Sequence, residues 1–436
     1  MSMLEKRENV RGRCLLIGLA CDSTADFENS DEITMAELEE LVKTAGGETV
    51  LTAMQNKHTP DPRTFIGEGK AEELRELIAA NEIDLAIVDN ELSPSQSRAL
   101  EEALSCRVID RSGLILDIFA DRARTAEGKL QVELAQYQYL LPRLTGMWTH
   151  LVRQTASGGS SPIGTRGPGE TQLETDRRHI RRKIQRLQED ISDLRRVRAT
   201  QRSKREKNDV PLVCIVGYTN AGKSTLLNAL TGAEVHAADR LFDTLDPTTR
   251  LLHTQQLGDI LFSDTVGFIR KLPHHLIDAF RSTLEELTYA DVLLHVVDAS
   301  DDQWRQQSQV VESLIAQLGA EKTPRLLLFN KADRLREDQL PRESGALYCS
   351  ALKGLGLEQL VDRICQILGQ QLHTVQFVLP YPQAQILDYL YRAANVRRAD
   401  YAEDGIVIEA VVDDKVFGRI QAFLPPEQRR QDHEEF

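Results

Sequence analysis

The run LVCIVGYTNAGKST, residues 212–225, constrains this chain more than any other stretch. The unbroken apolar residues Leu212–Val216 fit a strand buried on both faces. They lead into Gly217-x-x-x-x-Gly222-Lys223-Ser224, and the TLLNAL that follows reads as a helix. Glycines between a strand and a helix let backbone amides turn towards α- and β-phosphates. A lysine there reaches the β- and γ-phosphates, and the hydroxyl of Ser224 suits Mg²⁺. The residues expected along the phosphates are Gly217, Tyr218, Thr219, Asn220, Ala221, Gly222, Lys223, Ser224 and Thr225.

Downstream motifs extend this site. ILFSDTVGF sets Asp264 at the end of an apolar run, about forty residues after Ser224. A carboxylate there holds Mg²⁺ through water, and the Gly267 amide, after Thr265 and Val266, senses a γ-phosphate. Many such switches continue with a glutamine that orients the attacking water; here Phe268 follows, with no hydrogen-bonding atom. RLLLFNKAD supplies Asn330, Lys331, Ala332 and Asp333. An aspartate at this turn accepts both the N1–H and the 2-amino group of guanine, whereas adenine leaves the carboxylate unpaired. Ser350, Ala351 and Leu352 of CSAL offer a backbone amide to guanine O6. The set selects GTP over ATP. In LFDTLDPTTR (241–250), Thr244, Thr248 and Thr249 all have the hydroxyl needed to complete the Mg²⁺ sphere, and spacing does not choose among them.

At 436 residues the chain exceeds one ordinary core. Residues 1–113 alternate strands (14–21, 49–53, 85–89, 106–110) with helical patterns (33–47, 70–82, 93–104), predicting a parallel α/β domain. The loop FIGEGKAEEL (65–74) reads as a glycine turn capping a helix, since a short Gly-x-Gly is weak evidence for a second nucleotide site. Residues 114–208 turn helical. Leu130, Leu134, Tyr137, Leu141 and Leu144 repeat at 4, 3, 4, 3, as do Ile180, Ile184, Leu187, Ile191 and Leu194. Two such seams predict an antiparallel coiled-coil hairpin, joined by the Gly/Ser/Pro-rich 157–170. Residues 209–371 form the P-loop domain, and 372–436 a small α+β domain of strand–helix–strand–helix order.

Charge is uneven. Between Asp176 and Lys207 stand 13 Lys/Arg against 5 Asp/Glu, a net +8 on a chain of net −14, leaving −22 elsewhere. One-signed surplus, extended by Arg143, His150, Arg153 and Arg166, favours a nucleic-acid footprint over a merely solvated helix face. Six scattered cysteines without a Cys-x-x-Cys pair read as reduced thiols. CLLIGLAC is too short and wrongly flanked for a signal peptide, and no run has the ~18 apolar residues of a membrane span. These features predict a cytoplasmic protein.

Taken together, FIGEGK, RGPGETQLETDRR (166–178), GYTNAGKST, TLDPT, DTVGFIR, NKAD and SAL make the sequence resemble the HflX family of ribosome-associated GTPases over nearly its whole length. GPGETQLETDRR is the most specific element, since general GTPases lack it. The resemblance implies that Thr244 closes over Mg²⁺ beside Ser224 and Asp264, with Phe242, Asp243, Leu245 and Asp246 flanking it at the nucleotide. It implies Lys223, Thr244 and Gly267 as the catalytic set. It also implies a hydrophobic residue in place of the glutamine, as at Phe268. The implied partner is the large (50S) ribosomal subunit and its rRNA, approached by the hairpin, with splitting of stalled or stressed 70S ribosomes as the role of a protein monomeric when free. Alternative readings are an RNA-binding GTPase switch in ribosome assembly or transcript regulation, and a signalling GTPase acting through protein partners.

Overall fold

The computed structural model describes residues 12–21, 30–144, 168–207, 210–233, 241, 242, 245, 247–273, 276, 284–370, 372–402 and 405–425. The first sheet holds β1 (Arg13–Cys21), β2 (Glu48–Lys57), β3 (Leu85–Val88) and β4 (Arg107–Asp110), in the order β2-β1-β3-β4. All its pairings are parallel. Alternation along β1 sends Cys14 and Leu16 to one core, and Leu15, Ile17 and Leu19 to the other. Three helices cover the faces: α1 (Glu32–Ala45), α2 (Glu68–Ala80) and α3 (Pro94–Leu104). Asp31 and Thr34 form a capping box at the start of α1, and Ser93 and Gln96 form one at the start of α3. The amide of Gly67, in the FIGEGK loop, donates to Gln55 Oε1 at 2.9 Å.

Helix α4 (Arg111–Arg122) buries Leu114, Ile115, Ile118 and Phe119. Beyond it, α5 (Ala126–Arg143) contributes Leu134 to a small apolar cluster with Leu187 and Ile191 of α6 (Pro168–Lys207). Helix α6 has 40 residues, which makes it about 60 Å long at ~1.5 Å per residue. Arg178, Arg181, Arg182 and Arg186 of α6 are exposed while Leu187 and Ile191 are buried. The segment joining α5 to α6, with His150, Arg153 and Arg166, lies outside the described residues.

The second sheet runs β10-β9-β8-β5-β7-β6. Its strands are β5 (Leu212–Gly217), β6 (Thr248–Thr254), β7 (Gly258–Asp264), β8 (Val292–Asp298), β9 (Arg325–Asn330) and β10 (Leu347–Tyr348). Only β6 is antiparallel to its neighbour. Helix α7 (Lys223–Thr231) follows the phosphate loop, and α8 (Trp304–Gln317) and α9 (Leu357–Gln370) flank the sheet. The first and second sheets also share packing. One apolar cluster runs from Leu38 and Phe119 to Val216, Phe242, Val266 and Phe268.

The last sheet is antiparallel, in the order β11-β13-β12, from β11 (Leu372–Leu379), β12 (Asn395–Ala402) and β13 (Gly405–Asp413). Helices α10 (Gln385–Ala393) and α11 (Asp414–Ile420) complete its core through Leu387, Leu390, Val416 and Ile420. The expected strand–helix–strand–helix order lacks β12, which lies between α10 and β13. That strand, NVRRADYA, has charges in place of apolar alternation, which an edge strand tolerates and which conceals it from a periodicity reading.

Candidate nucleotide-hydrolysis site

The loop between β5 and α7 takes its shape from contacts made by the sequence around it. Gly222 has φ 90°, and a Cβ there would lie 2.3 Å from Asn330 Nδ2, so only glycine fits. Asn330 ties the site together: its Nδ2 donates to the Ala221 carbonyl at 2.9 Å, and its Oδ1 accepts from the Ala351 amide at 3.0 Å. The phosphate loop and the SAL turn are thus held by one side chain at the end of β9. Asn220 adopts φ 61°, a left-handed conformation that asparagine tolerates better than most residues.

Lys223 is 6% exposed and donates to the Tyr218 carbonyl at 2.7 Å. Burial pushes its ammonium down to about 8, with Asp264 opposing and Lys331 reinforcing the shift. The Ser224 hydroxyl donates to Asp264 Oδ2 at 2.6 Å, joining the start of α7 to the end of β7. Thr225 follows in the first turn of α7. Thr265 turns its hydroxyl to the Ile215 carbonyl at 2.8 Å and is buried.

Gly267 lies directly against the loop. A Cβ on it would sit 2.8 Å from Thr219 Cγ2 and 3.0 Å from Lys223 Nζ. The next residue bonds through its backbone on both sides: the Thr219 amide donates to the Phe268 carbonyl at 2.8 Å, and the Phe268 amide donates to the Gly217 carbonyl at 3.2 Å. The Phe268 ring is 1% exposed, among Phe119, Phe242, Leu272, Leu276 and Leu284.

At the base end, Lys331 adopts φ 60° and pairs with Asp298 at 2.8 Å. The Ala332 amide donates to the Cys349 carbonyl at 3.1 Å. Asp333 lies 3.3 Å from Lys353, and the Ser350 hydroxyl beside it, then Lys353, hold its carboxylate below the usual range. Leu352 is 81% exposed.

Three of the residues named from sequence, Asp243, Thr244 and Asp246, lie outside the described residues. Of their neighbours, Phe242 and Leu245 are buried in the apolar cluster, and Phe242 meets Phe119 edge-on at 4.8 Å between centroids. Their side chains therefore anchor the segment and leave any nucleotide contact to the backbone. Val266 is likewise a core residue, and the Tyr218 side chain points at the first domain, where its hydroxyl meets Glu37. Thr248 and Thr249 open β6. Among the described residues no cluster of three or more His, Cys, Asp or Glu is placed to hold a metal, and all six cysteines are unbridged. Sequence reasoning missed Asp298, although its place at the end of apolar β8, parallel to Asp264 on β7, was a signal for it. It also missed Glu37, Asp89, Arg111 and Lys271, for which no local pattern exists.

A phosphate loop after β5, a carboxylate at the end of β7 and the Asn330–Asp333 turn after β9 are the arrangement of a P-loop GTPase. Profiles of known families match in three successive pieces: "GTP-binding GTPase N-terminal" over residues 32–120, "GTP-binding GTPase Middle Region" over 122–205 and "50S ribosome-binding GTPase" over 212–331. The chain is 46% identical to GTPase HflX of Caldanaerobacter subterraneus, with 90% of this chain and 91% of the other covered. It is 44% identical to GTPase HflX of Escherichia coli, with 87% and 89% covered. Among solved structures it is similar to a GTP-binding protein from Sulfolobus solfataricus in complex with GDP, at 24% identity and TM-score 0.40, covering 82% of this chain and 99% of that one. The chain belongs to the HflX family of GTPases, and it hydrolyses GTP.

Proposed function

We propose that this GTPase binds the large (50S) ribosomal subunit in the cytoplasm and uses its nucleotide state to split stalled or stressed 70S ribosomes. The observation that carries this reading is α6: exposed Arg178, Arg181, Arg182 and Arg186 opposite an apolar seam, in a +8 segment of an acidic chain. These four arginines fall within about 12 Å of helix at ~1.5 Å per residue, a basic face that suits a polyphosphate backbone. The profile matched by residues 212–331, described as that of a 50S ribosome-binding GTPase, supports it. Among the described residues no helix is long and apolar enough to cross a membrane.

In this reading residues 114–208 form an antiparallel hairpin arm reaching rRNA, between an α/β domain (1–113) and the GTPase domain (209–371), with an α+β domain at 372–436. The free protein is a monomer. Gly217–Thr225 cradle the phosphates, Lys223 offsets the charge developing between β- and γ-phosphates, and the Gly267 amide meets the γ-phosphate. Asp333 reads guanine, while Asn330 and Ala351 fix the turn around it. Hard oxygen donors 2.6 Å apart, the Ser224 hydroxyl and the Asp264 carboxylate, fit Mg²⁺, which Asp264 would hold through water and Thr244 would complete. Bound there, Mg²⁺ supplies charge neutralisation for phosphoryl transfer.

Co-sedimentation with 50S particles, with a non-hydrolysable GTP analogue compared against GDP, tests the proposal. Analogue-dependent binding to the particle supports it. Binding to free RNA of any kind with equal affinity points to the RNA-switch reading, and binding to neither points to a protein partner.

A further inference from the structure

A buried ring of polar groups joins the phosphate loop to the first domain, and no step of GTP hydrolysis described above uses it. Tyr218 is 7% exposed; its hydroxyl donates to the Glu37 carboxylate on α1 and accepts from the Arg270 amide at 2.8 Å. Glu37 also accepts from Arg111 at 2.7 Å, and Arg111, 1% exposed, reaches Asp89 at 2.8 Å and the Arg270 carbonyl at 3.1 Å. Lys271 closes the ring onto Asp89 at 2.6 Å, where Ser30 donates as well, at 2.8 Å.

Charge makes this junction selective. On the first-domain side, two carboxylates face one guanidinium, leaving a buried surplus of one negative charge. Lys271, from the segment just after Gly267, neutralises it. Burying such groups costs several kcal/mol per ion unless all are paired, so an apolar contact would serve adhesion better. What the ring adds is a fixed position for residues 268–271. Gly267 enters that segment already against Lys223 and Thr219, and the Phe268 backbone is bonded to the phosphate loop. Tyr218 belongs to both attachments: it stands in the phosphate loop, and its hydroxyl holds the Arg270 amide.

We infer that Tyr218, anchored by Glu37 of the first domain, is a positioning residue for GTP hydrolysis, holding the 267–271 segment where the Gly267 amide meets the γ-phosphate. GDP lacks that phosphate, so its binding is indifferent to the ring. A donor fixed in advance stabilises developing charge more than one that must be ordered during the reaction.

The test is Tyr218→Phe, which keeps the ring's packing and removes the hydroxyl, measured without ribosomes by single-turnover GTP hydrolysis, GDP affinity and thermal unfolding. Loss of one such hydrogen bond predicts turnover about five- to tenfold slower, with GDP affinity within about twofold of the unmodified protein. Lys271→Met, which retains the apolar stem but leaves the ring its one surplus negative charge, is expected to act in the same direction with a lower unfolding temperature, and it decides the matter if Tyr218→Phe does not fold. Lys43→Ala, on the exposed side of α1, serves as a control with unchanged turnover. Turnover unchanged or raised in Tyr218→Phe and Lys271→Met, or GDP affinity falling in step with turnover, would overturn the inference and leave the ring as domain packing. Because no ribosome is used, either result is independent of the ribosomal reading.

Discussion

The Thr219 amide donates to the Phe268 carbonyl at 2.8 Å, while the Phe268 side chain points the other way, into an apolar pocket with Phe119 and Phe242. The residue standing where other switches keep a water-orienting glutamine therefore does its work through its backbone and its packing. Phe268→Gln is expected to leave basal GTP hydrolysis no faster, because the new amide is buried away from the phosphates and loses its hydrogen-bond partners. Phe268→Leu retains turnover, and Phe268→Ala destabilises the protein by about 3–5 kcal/mol through the cavity it opens. Single-turnover rates and denaturant unfolding check these three outcomes. A marked acceleration in Phe268→Gln contradicts the assignment of the side chain to the core.

Lys223 gives the site a pH signature. Burial lowers its pKa from the ordinary 10.5 to about 8. The folded protein then binds fewer protons than the unfolded chain between those values, so the penalty of burying the ammonium is full below about pH 8 and is relieved as pH rises towards 10.5. GTP favours the charged form, so binding takes up a proton above about pH 8 and affinity falls as pH rises further. Calorimetry in two buffers of different ionisation enthalpy is expected to show more proton uptake near pH 8.5 than near pH 7.5, both above the range in which the terminal phosphate titrates. Equal proton counts at both would remove Lys223 as the titrating group.

Asp333→Asn replaces an acceptor with an amide that can also donate. The variant is expected to lose GTP affinity by about a hundredfold or more and to gain affinity for xanthosine nucleotides, whose donor–acceptor pattern is reversed. Nucleotide competition reads this directly, with ATP weak for both proteins. Unchanged GTP affinity would place the base elsewhere.

Much of this molecule was legible because its chemistry is local. Gly217 to Ser224 is one uninterrupted run between a strand and a helix, and the strands ending in Asp264 and Asn330 carry a buried apolar signature, so the sheet and the site emerge together. The first domain was legible from its alternation of short apolar runs with helical patterns, and Ser93-Pro94 stands where helix α3 begins. Strand β12 was not, since edge position rather than composition makes it a strand. Nor was the junction between the domains. Glu37 and Tyr218 are 181 residues apart, and Lys271 and Asp89 are 182 apart, so only the folded chain brings these charges into one ring. That the Phe242 and Leu245 side chains enter the core was not legible either, since proximity to Thr244 in sequence says nothing about which way a side chain faces.

The basic stripe on α6 makes a quantitative claim about salt. Replacing Arg178, Arg181, Arg182 and Arg186 by glutamine is expected to weaken association with 50S particles and to flatten the log–log salt dependence by about 3, at ~0.7–0.9 per lost phosphate contact. Basal GTP hydrolysis stays unchanged, because these side chains lie far along α6 from the phosphate loop in sequence and are exposed. An unaltered slope would reduce the stripe to a solvated helix face.

The large ribosomal subunit is proposed to complete the catalytic site of this GTPase. Phe268 offers no group to position water, so Lys223, the loop amides and Mg²⁺ supply only part of the stabilisation that rapid hydrolysis needs. The most direct measurement is the rate of GTP hydrolysis by the purified protein as 50S particles are added. Turnover is expected to be slow alone and to rise about 10³-fold or more at saturation, the scale on which partners complete such sites. Fast hydrolysis with no partner present, or no increase at saturating 50S, would contradict it.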